Sequence, residues 1–399
     1  MKGNISPTPG PTYSVLALCP SLSAGGSERN AVNLMKHLPH FGINLQLGLY
    51  VKRGSLFDYV PNYSVITEFG DSVHKIFGSL SEELKFYAIR MARIVERANP
   101  DLVLTMLPLA SLAWKAALDL KLSPSRPWIA LDGHNPLQWI EDETATELQM
   151  DAQRLIREAY LTADRVVSAS WELRTAIRDA YGLSKQKVVH IYNPVEVREI
   201  RKVCATGLRD RPSAPVIMTA ARLVHQKGID TLLLAFRTVC HHTDARLVIL
   251  GTGPLREDLQ ALANKLGVSE QVEFRGFHPE PWILFAEADY YVLASRWEGF
   301  GNTLVEAMAA GVPVIATNCN YGPREVLSSG AGILVEPENE SCIATALLKL
   351  INDSPLRAGL VERGYARARE FDTSVIVPSF VNLIREVLEV SPSRKSNNL

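Results

Sequence analysis

Two carboxylates, Glu298 and Glu306, stand with seven residues between them in Ser295-Arg296-Trp297-Glu298-Gly299-Phe300-Gly301-Asn302-Thr303-Leu304-Val305-Glu306. Carboxylates accept hydrogen bonds from neighbouring hydroxyls, so both suit recognition of a sugar or a ribose. Glu298 lies among glycines in a predicted loop after a strand, and Glu306 lies near the start of a predicted helix. That helix would aim free N–H groups at whatever the loop holds, which favours an anion. Glu306 has a local alternative: Thr303-x-x-Glu306 reads as a capping box, with the glutamate returning to the Thr303 N–H. For Glu298 the alternative is an ordinary solvated loop carboxylate.

Cations stand where a diphosphate would need them. Arg222 and Lys227 follow a strand in Ala221-Arg222-Leu223-Val224-His225-Gln226-Lys227-Gly228. An arginine offers a fork and a lysine a point charge, and Gly228 precedes the next helix. Two solvated loop charges are the alternative reading. Gly25-Gly26-Ser27-Glu28-Arg29 occupies the corresponding place early in the chain, either as a close backbone approach to phosphate or as a turn capped by Ser27. His134, in Asp132-Gly133-His134-Asn135-Pro136, reads either as a structural histidine or, in the exposed turn that Gly133 and Pro136 suggest, as a donor to a phosphate or a sugar hydroxyl. Gly251-Thr252-Gly253-Pro254 reads as a tight turn with supporting contacts or as a wall of the ligand pocket, and the backbone at Arg275-Gly276-Phe277 could face a base edge. No Asp-x-Asp occurs, no His/Cys cluster has zinc spacing, and Glu141-Asp142-Glu143 reads as a solvated loop. No metal or other cofactor is expected.

Such residues need a scaffold that brings distant loops to one edge. The 399 residues are 47% hydrophobic, enough for two or three domains with large cores. Strands are expected at 13–19, 43–51, 102–106, 128–131, 165–169 and 187–191. Helical patterns lie between them, notably at 73–98, 147–162 and 172–181. Charges, Gly207, Pro212 and Pro215 mark 195–214 as a linker. Alternation then restarts with strands at 216–220, 246–250, 272–274, 290–294, 314–317 and 332–335. Helices are expected at 229–240, 255–266, 340–351, 356–369 and 374–390. Gly311 and Pro313 end the helix that carries Glu306. This order implies parallel sheets covered by helices, with ligands at the carboxyl ends of the strands.

Bulk charge argues against nucleic acid. The formal net charge is −1 and no basic stripe is present. Five scattered cysteines without a Cys-x-x-Cys pair suit a reducing cytoplasm. Residues 1–12 lack the apolar core of a signal peptide, and the longest apolar runs are strand-sized. The segment 73–98 carries Lys75, Lys85, Arg90, Arg93 and Arg97 among apolar residues. It reads either as a contact with an anionic membrane surface or as a helix packing its apolar side into the core.

Taken together, these motifs resemble the family 4 retaining glycosyltransferases. The pair Glu298/Glu306 in Glu-Gly-Phe-Gly, followed by Ala-x-Ala-Ala-Gly-x-Pro-Val, carries most of the likeness. Gly25–Arg29, Arg222-Leu223 and Gln226-Lys227-Gly228 add to it. The resemblance runs from about Tyr13 to Val390. It implies a GT-B fold, two doubly wound Rossmann-like α/β domains facing across a cleft. Residues 1–195 would bind the acceptor and 196–372 the nucleotide sugar, while 373–399 would return a helix to the first domain. It also implies a catalytic set of Arg222, Lys227, Glu298 and His134, and donor contacts from Gly26, Phe277, Phe300, Gly301, Asn302, Thr303 and Glu306. Glu298 would take donor-sugar hydroxyls, Glu306 the ribose, Arg222 and Lys227 the diphosphate, and Gly26 the donor phosphates.

Gly322-Pro323-Arg324-Glu325 looks like a variant found in bacterial enzymes that build cell-surface glycans. The expected reaction moves a hexose or N-acetylhexosamine, with UDP as the favoured nucleotide, to a glycan or polyprenyl-linked acceptor hydroxyl with retention. The departing phosphate oxygen would take the acceptor proton. The expected place is the cytoplasm, with contact to the inner face of the cytoplasmic membrane left open. Rival readings are a non-catalytic nucleotide-binding subunit on the same fold, a sugar-nucleotide epimerase and a phosphorylase. The last would need a pyridoxal-phosphate lysine site and a longer chain.

Overall fold

The structure is a computed structural model. It describes residues 13–22, 25–49, 54–60, 65–67, 80–133, 138, 149–205 and 214–390. The chain divides into two compact units, one of Met1–Pro194 with Ile376–Leu399 and one of Val195–Val375.

The first unit holds seven parallel strands: β1 (Tyr13–Cys19), β2 (Ile43–Leu49), β3 (Val65–Thr67), β4 (Leu102–Met106), β5 (Trp128–Asp132), β6 (Arg165–Ser168) and β7 (Val188–His190). Their order is β3-β2-β1-β4-β5-β6-β7. Strands β4 and β5 are buried along their whole length, as parallel strands covered on both faces must be. The sheet reverses direction of growth between β1 and β4, and doubly wound sheets bind ligands at such a switch point.

The helix Leu80–Ala98 packs inward over its own stretch; 73–79 lie outside the described residues. Leu84, Ala88, Met91, Ile94 and Val95 are buried, so its apolar side faces the core. Its exposed positions include Glu82, Lys85, Arg93, Glu96 and Arg97, a solvated face of mixed sign. The last helix, Thr373–Val390, adds Val377, Phe380, Val381 and Ile384 to the buried set, and Arg385 donates to the Phe41 carbonyl at 2.9 Å. No helix among the described residues is long and apolar enough to cross a membrane.

The second unit repeats the plan with six parallel strands: β8 (Val216–Ala220), β9 (Arg246–Leu250), β10 (Val272–Gly276), β11 (Tyr290–Leu293), β12 (Val314–Thr317) and β13 (Ile333–Val335). The order β10-β9-β8-β11-β12-β13 puts its switch point between β8 and β11. Beneath the sheet, the helices Ile229–Cys240 and Glu340–Asn352 pack Leu232, Phe236, Ile343 and Leu347 against Ile217, Leu247 and Val292. The expected linker differs from what forms. A helix covers Val197–Ala205, with Val197, Ile200 and Cys204 buried on one face. The intervening charges hide that stripe from a composition argument. Residues 206–213 lie outside the described set.

Candidate nucleotide-sugar site

The loops after β8 and β11 meet at the switch point of the second unit, and they bring together the residues singled out for diphosphate and sugar. After β8 the chain makes one turn of 3-10 helix at His225–Lys227 and enters the helix Ile229–Cys240 through Gly228. Lys227 Nζ donates to Glu298 Oε1 at 2.6 Å, and the two side chains are only 15% and 9% exposed. The same carboxylate oxygen accepts from Ser295 Oγ at 2.7 Å. The Ser295 carbonyl in turn accepts from Thr317 Oγ1 at 2.5 Å. Glu298 is therefore no solvated loop carboxylate. Its backbone is held as well: its N–H donates to the Asn320 carbonyl at 2.7 Å and its carbonyl accepts from Tyr321 N–H at 2.8 Å. Arg222 stays exposed and donates through Nη2 to Gln226 Oε1 at 3.2 Å.

The helix carrying Glu306 begins at Asn302 and has Gly301 at its cap position, in a left-handed conformation with φ 95° and no side-chain cap. This overturns the capping-box alternative, because Thr303 already lies inside the helix. Glu306 is buried at the carboxyl-edge end of the sheet, four residues beyond the first helical residue. Asn302 and Thr303 are half-buried. Tyr291 Oη donates to the Ala220 carbonyl at 3.3 Å. Burial pushes the Tyr291 phenol up, against a hydrogen bond with Thr303, while the charges of Glu306 and Glu298 add to the rise.

Phe300 is placed differently from its expected role. Its ring is buried edge-on against Phe371, with centroids 5.3 Å apart, so only its backbone remains to meet a donor. Phe277 is half-buried just past β10. Burial, and then the nearby Glu298 charge, pushes the Cys319 thiol up to about 12, so it stays protonated and unreactive at neutral pH.

One residue of this site escaped the sequence reading. Arg296 grips Asp230 with two bonds of 3.0 and 2.8 Å, and also donates to the His225 carbonyl at 2.7 Å and Glu338 at 2.9 Å. It ties the β11 loop to the β8 loop on either side of Lys227. Burial alone would raise the Asp230 carboxyl; the Arg296 hydrogen bonds and charge hold it below its ordinary value. The usable signal was an acidic residue in the first turn of a helix and an arginine at the end of a strand, but 66 residues separate them.

In the first unit, Gly26 is exposed at the start of the helix Gly26–His37, whose cap is Gly25. Ser27 is not the cap, which removes that alternative. A Cβ on Gly133 would come within 3.1 Å of Ser27 Oγ, so the loops after β1 and β5 lie side by side. Tyr160 Oη donates to Asp132 Oδ2 and fixes the base of the β5 loop. His134 lies outside the described residues, as do Glu141, Asp142 and Glu143. Among the described residues, no three His, Cys, Asp or Glu side chains come together as a metal would require.

At the end of β7, His190 stacks on Trp171 at 4.4 Å and meets Tyr192 edge-on at 4.2 Å. Burial, then the Arg174 charge, lowers His190 from 6.5 to about 4. Between those values the unfolded chain binds the proton and the folded chain does not. The stability contribution is complete above pH 6.5 and is lost as the pH falls towards 4. Discounted for partial exposure, it amounts to about 1–2 kcal/mol. Melting followed from pH 7 down to 4.5 should show a smaller decline in His190→Phe than in the wild type.

Comparisons with known proteins bear on the family and the fold. The model of the glycosyl transferases group 1 matches residues 208–367, and that of glycosyltransferase family 4 matches residues 24–199. The N-acetylgalactosamine-N,N'-diacetylbacillosaminyl-diphospho-undecaprenol 4-alpha-N-acetylgalactosaminyltransferase of Campylobacter jejuni is 30% identical over 221 residues, 55% of this chain and 59% of that one. The lipopolysaccharide core biosynthesis glycosyltransferase LpsE of Rhizobium meliloti is 26% identical over 363 residues, 90% of this chain and 96% of that one. HepE of Anabaena, solved in complex with UDP and glucose, superposes with a TM-score of 0.74 at 23% identity, over 94% of this chain and 99% of that one.

Proposed function

Because this chain belongs to the family 4 glycosyltransferases and has the GT-B fold, we propose that it moves a hexose or N-acetylhexosamine from a UDP-sugar to an acceptor hydroxyl with retention of configuration. The acceptor is a bacterial surface glycan or a polyprenyl-linked oligosaccharide. The observation that carries this reading is the Lys227–Glu298 contact of 2.6 Å beside Arg222, at the switch point of the sheet. A phosphate-seeking cation and a hydroxyl-seeking carboxylate lie within hydrogen-bond distance of each other, as the two ends of a sugar phosphate require.

In the proposed step the C1–O bond to the diphosphate breaks and the acceptor oxygen bonds to C1 from the same face. The departing β-phosphate oxygen takes the acceptor proton. Arg222, Lys227 and the helix start at Asn302 meet the charge that develops on that phosphate, with no resident cofactor. Glu306 serves the ribose, Glu298 the sugar hydroxyls, and the backbone near Phe277 the base. The names of the Campylobacter and Rhizobium relatives support an envelope-glycan acceptor.

Thermal melting with UDP-glucose, UDP-N-acetylglucosamine, UDP-N-acetylgalactosamine and GDP-mannose tests the donor. A ligand present at 100 times its Kd should stabilise the fold by about 2.7 kcal/mol. The ligands that stabilise are then assayed for transfer to polyprenyl-diphosphate-linked sugars. The expected result is stabilisation by a UDP-sugar and formation of an α-linked product. A protein that binds a donor yet neither transfers nor hydrolyses it is a non-catalytic subunit, and one that binds no nucleotide sugar sinks the proposal.

A further inference from the structure

Resting on that reading of the site, we propose that Gln226 is a positioning residue, which sets the Arg222 guanidinium towards the diphosphate by tying it to the backbone of the sugar-binding loop. The Gln226 side chain is almost fully buried, at 7% exposure, and both ends of its amide are used. Oε1 accepts from Arg222 Nη2 at 3.2 Å, and Nε2 donates to the Trp297 carbonyl at 2.9 Å. A guanidinium only donates and a carbonyl only accepts, so these partners allow the amide a single orientation. The Gln226 carbonyl also accepts from Arg296 N–H at 2.8 Å.

The far end of this chain of bonds is stiff. Trp297 immediately precedes Glu298, whose own N–H and carbonyl bond to Asn320 and Tyr321 at 2.7 and 2.8 Å. The near end is not: Arg222 is an exposed, long side chain with much rotamer freedom to lose on binding. Holding its fork in place beforehand removes part of that entropy loss from the binding step. Gln226 thereby registers the phosphate-binding cation against the carboxylate that holds the sugar, since Trp297 and Glu298 are neighbours in one loop.

A double-mutant cycle on UDP binding tests this, with Kd measured by calorimetry for the wild type, Gln226→Met, Arg222→Ala and the double variant. Gln226→Met keeps the size and removes both hydrogen bonds. It should weaken UDP about tenfold, within the coupling range of residues that share one network. In the Arg222→Ala background it should weaken UDP no further. A merely structural glutamine would give additive losses instead, and additivity overturns the inference, as does a Gln226→Met protein with wild-type affinity. Gln226→Glu is the second variant should the methionine protein fail to fold. Its carboxylate would bind Arg222 as an ion pair and oppose the phosphate charge, so UDP should again weaken, and unchanged affinity again overturns the inference. A wild-type protein that binds no nucleoside diphosphate overturns the reading of the site, and this inference with it.

Discussion

Lys227→Ala should lower sugar transfer by about 10²–10³-fold, the usual loss when one preorganised donor to a developing oxyanion is removed. The fall should lie mainly in kcat, because charge on the leaving diphosphate grows towards the transition state. Glu298→Gln should lower transfer by a similar factor, yet the two variants should part on UDP affinity. Lys227 sits 2.6 Å from Glu298. Without the carboxylate its charge has one fewer competitor for phosphate, so Glu298→Gln should bind UDP as tightly as the wild type or more tightly. Lys227→Ala should bind it more weakly.

Stability separates them further. Lys227→Ala leaves a carboxylate that is 9% exposed without its cation, with Ser295 Oγ still donating at 2.7 Å. Removing one partner of a buried pair costs about 3–5 kcal/mol, the upper end applying where no other donor remains. Adding Glu298→Gln to Lys227→Ala should therefore recover melting temperature without recovering transfer. Near-normal turnover in either single variant would remove both residues from the chemistry.

The parts of this site that were legible in the sequence are those whose signal is local. Short apolar runs located β8 and β11, and the loops after them carried Arg222, Lys227 and Glu298 in plain view. Local signals also misled. Thr303-x-x-Glu306 has the letters of a capping box, but Gly301 takes the left-handed cap position and starts the helix two residues sooner. Phe300 sits in the motif next to two glycines, and its ring is drawn into the core by Phe371. The helix Val197–Ala205 was missed because charged residues surround its three buried positions.

What no local pattern carries is pairing across the sheet. The Arg296–Asp230 clamp spans 66 residues and the Gln226–Trp297 bond 71. Both exist only because β8 and β11 are neighbours although β9 and β10 come between them in sequence. Residues that do chemistry had recognisable types and spacing. Residues that position them are ordinary polar side chains until the strand order is known.

Gly228→Ala should damage the second unit severely, and Gly267→Ala shows why. Both glycines adopt left-handed backbone, with φ of 58° and 72°. Alanine at either position meets the same backbone strain, about 1–2 kcal/mol. Their surroundings differ. A Cβ at Gly267 has nothing within 4 Å, whereas a Cβ at Gly228 collides with the Ala294 carbonyl at the end of β11. A backbone carbonyl cannot swing aside as a long side chain can, so the two loops must separate, adding about 1–3 kcal/mol of overpacking. The sum of about 2–5 kcal/mol corresponds to a melting shift of roughly 4–20 °C for a unit of this size, against about 2–8 °C for Gly267→Ala. The separation also bears on function, because Lys227 precedes Gly228 and reaches Glu298 across that same gap. Transfer measured well below the melting point should stay near normal in Gly267→Ala and fall at least about tenfold in Gly228→Ala, as misplacing a catalytic group does. Equal melting temperatures for the two variants would show that the approach of Gly228 to Ala294 does not hold the loops together.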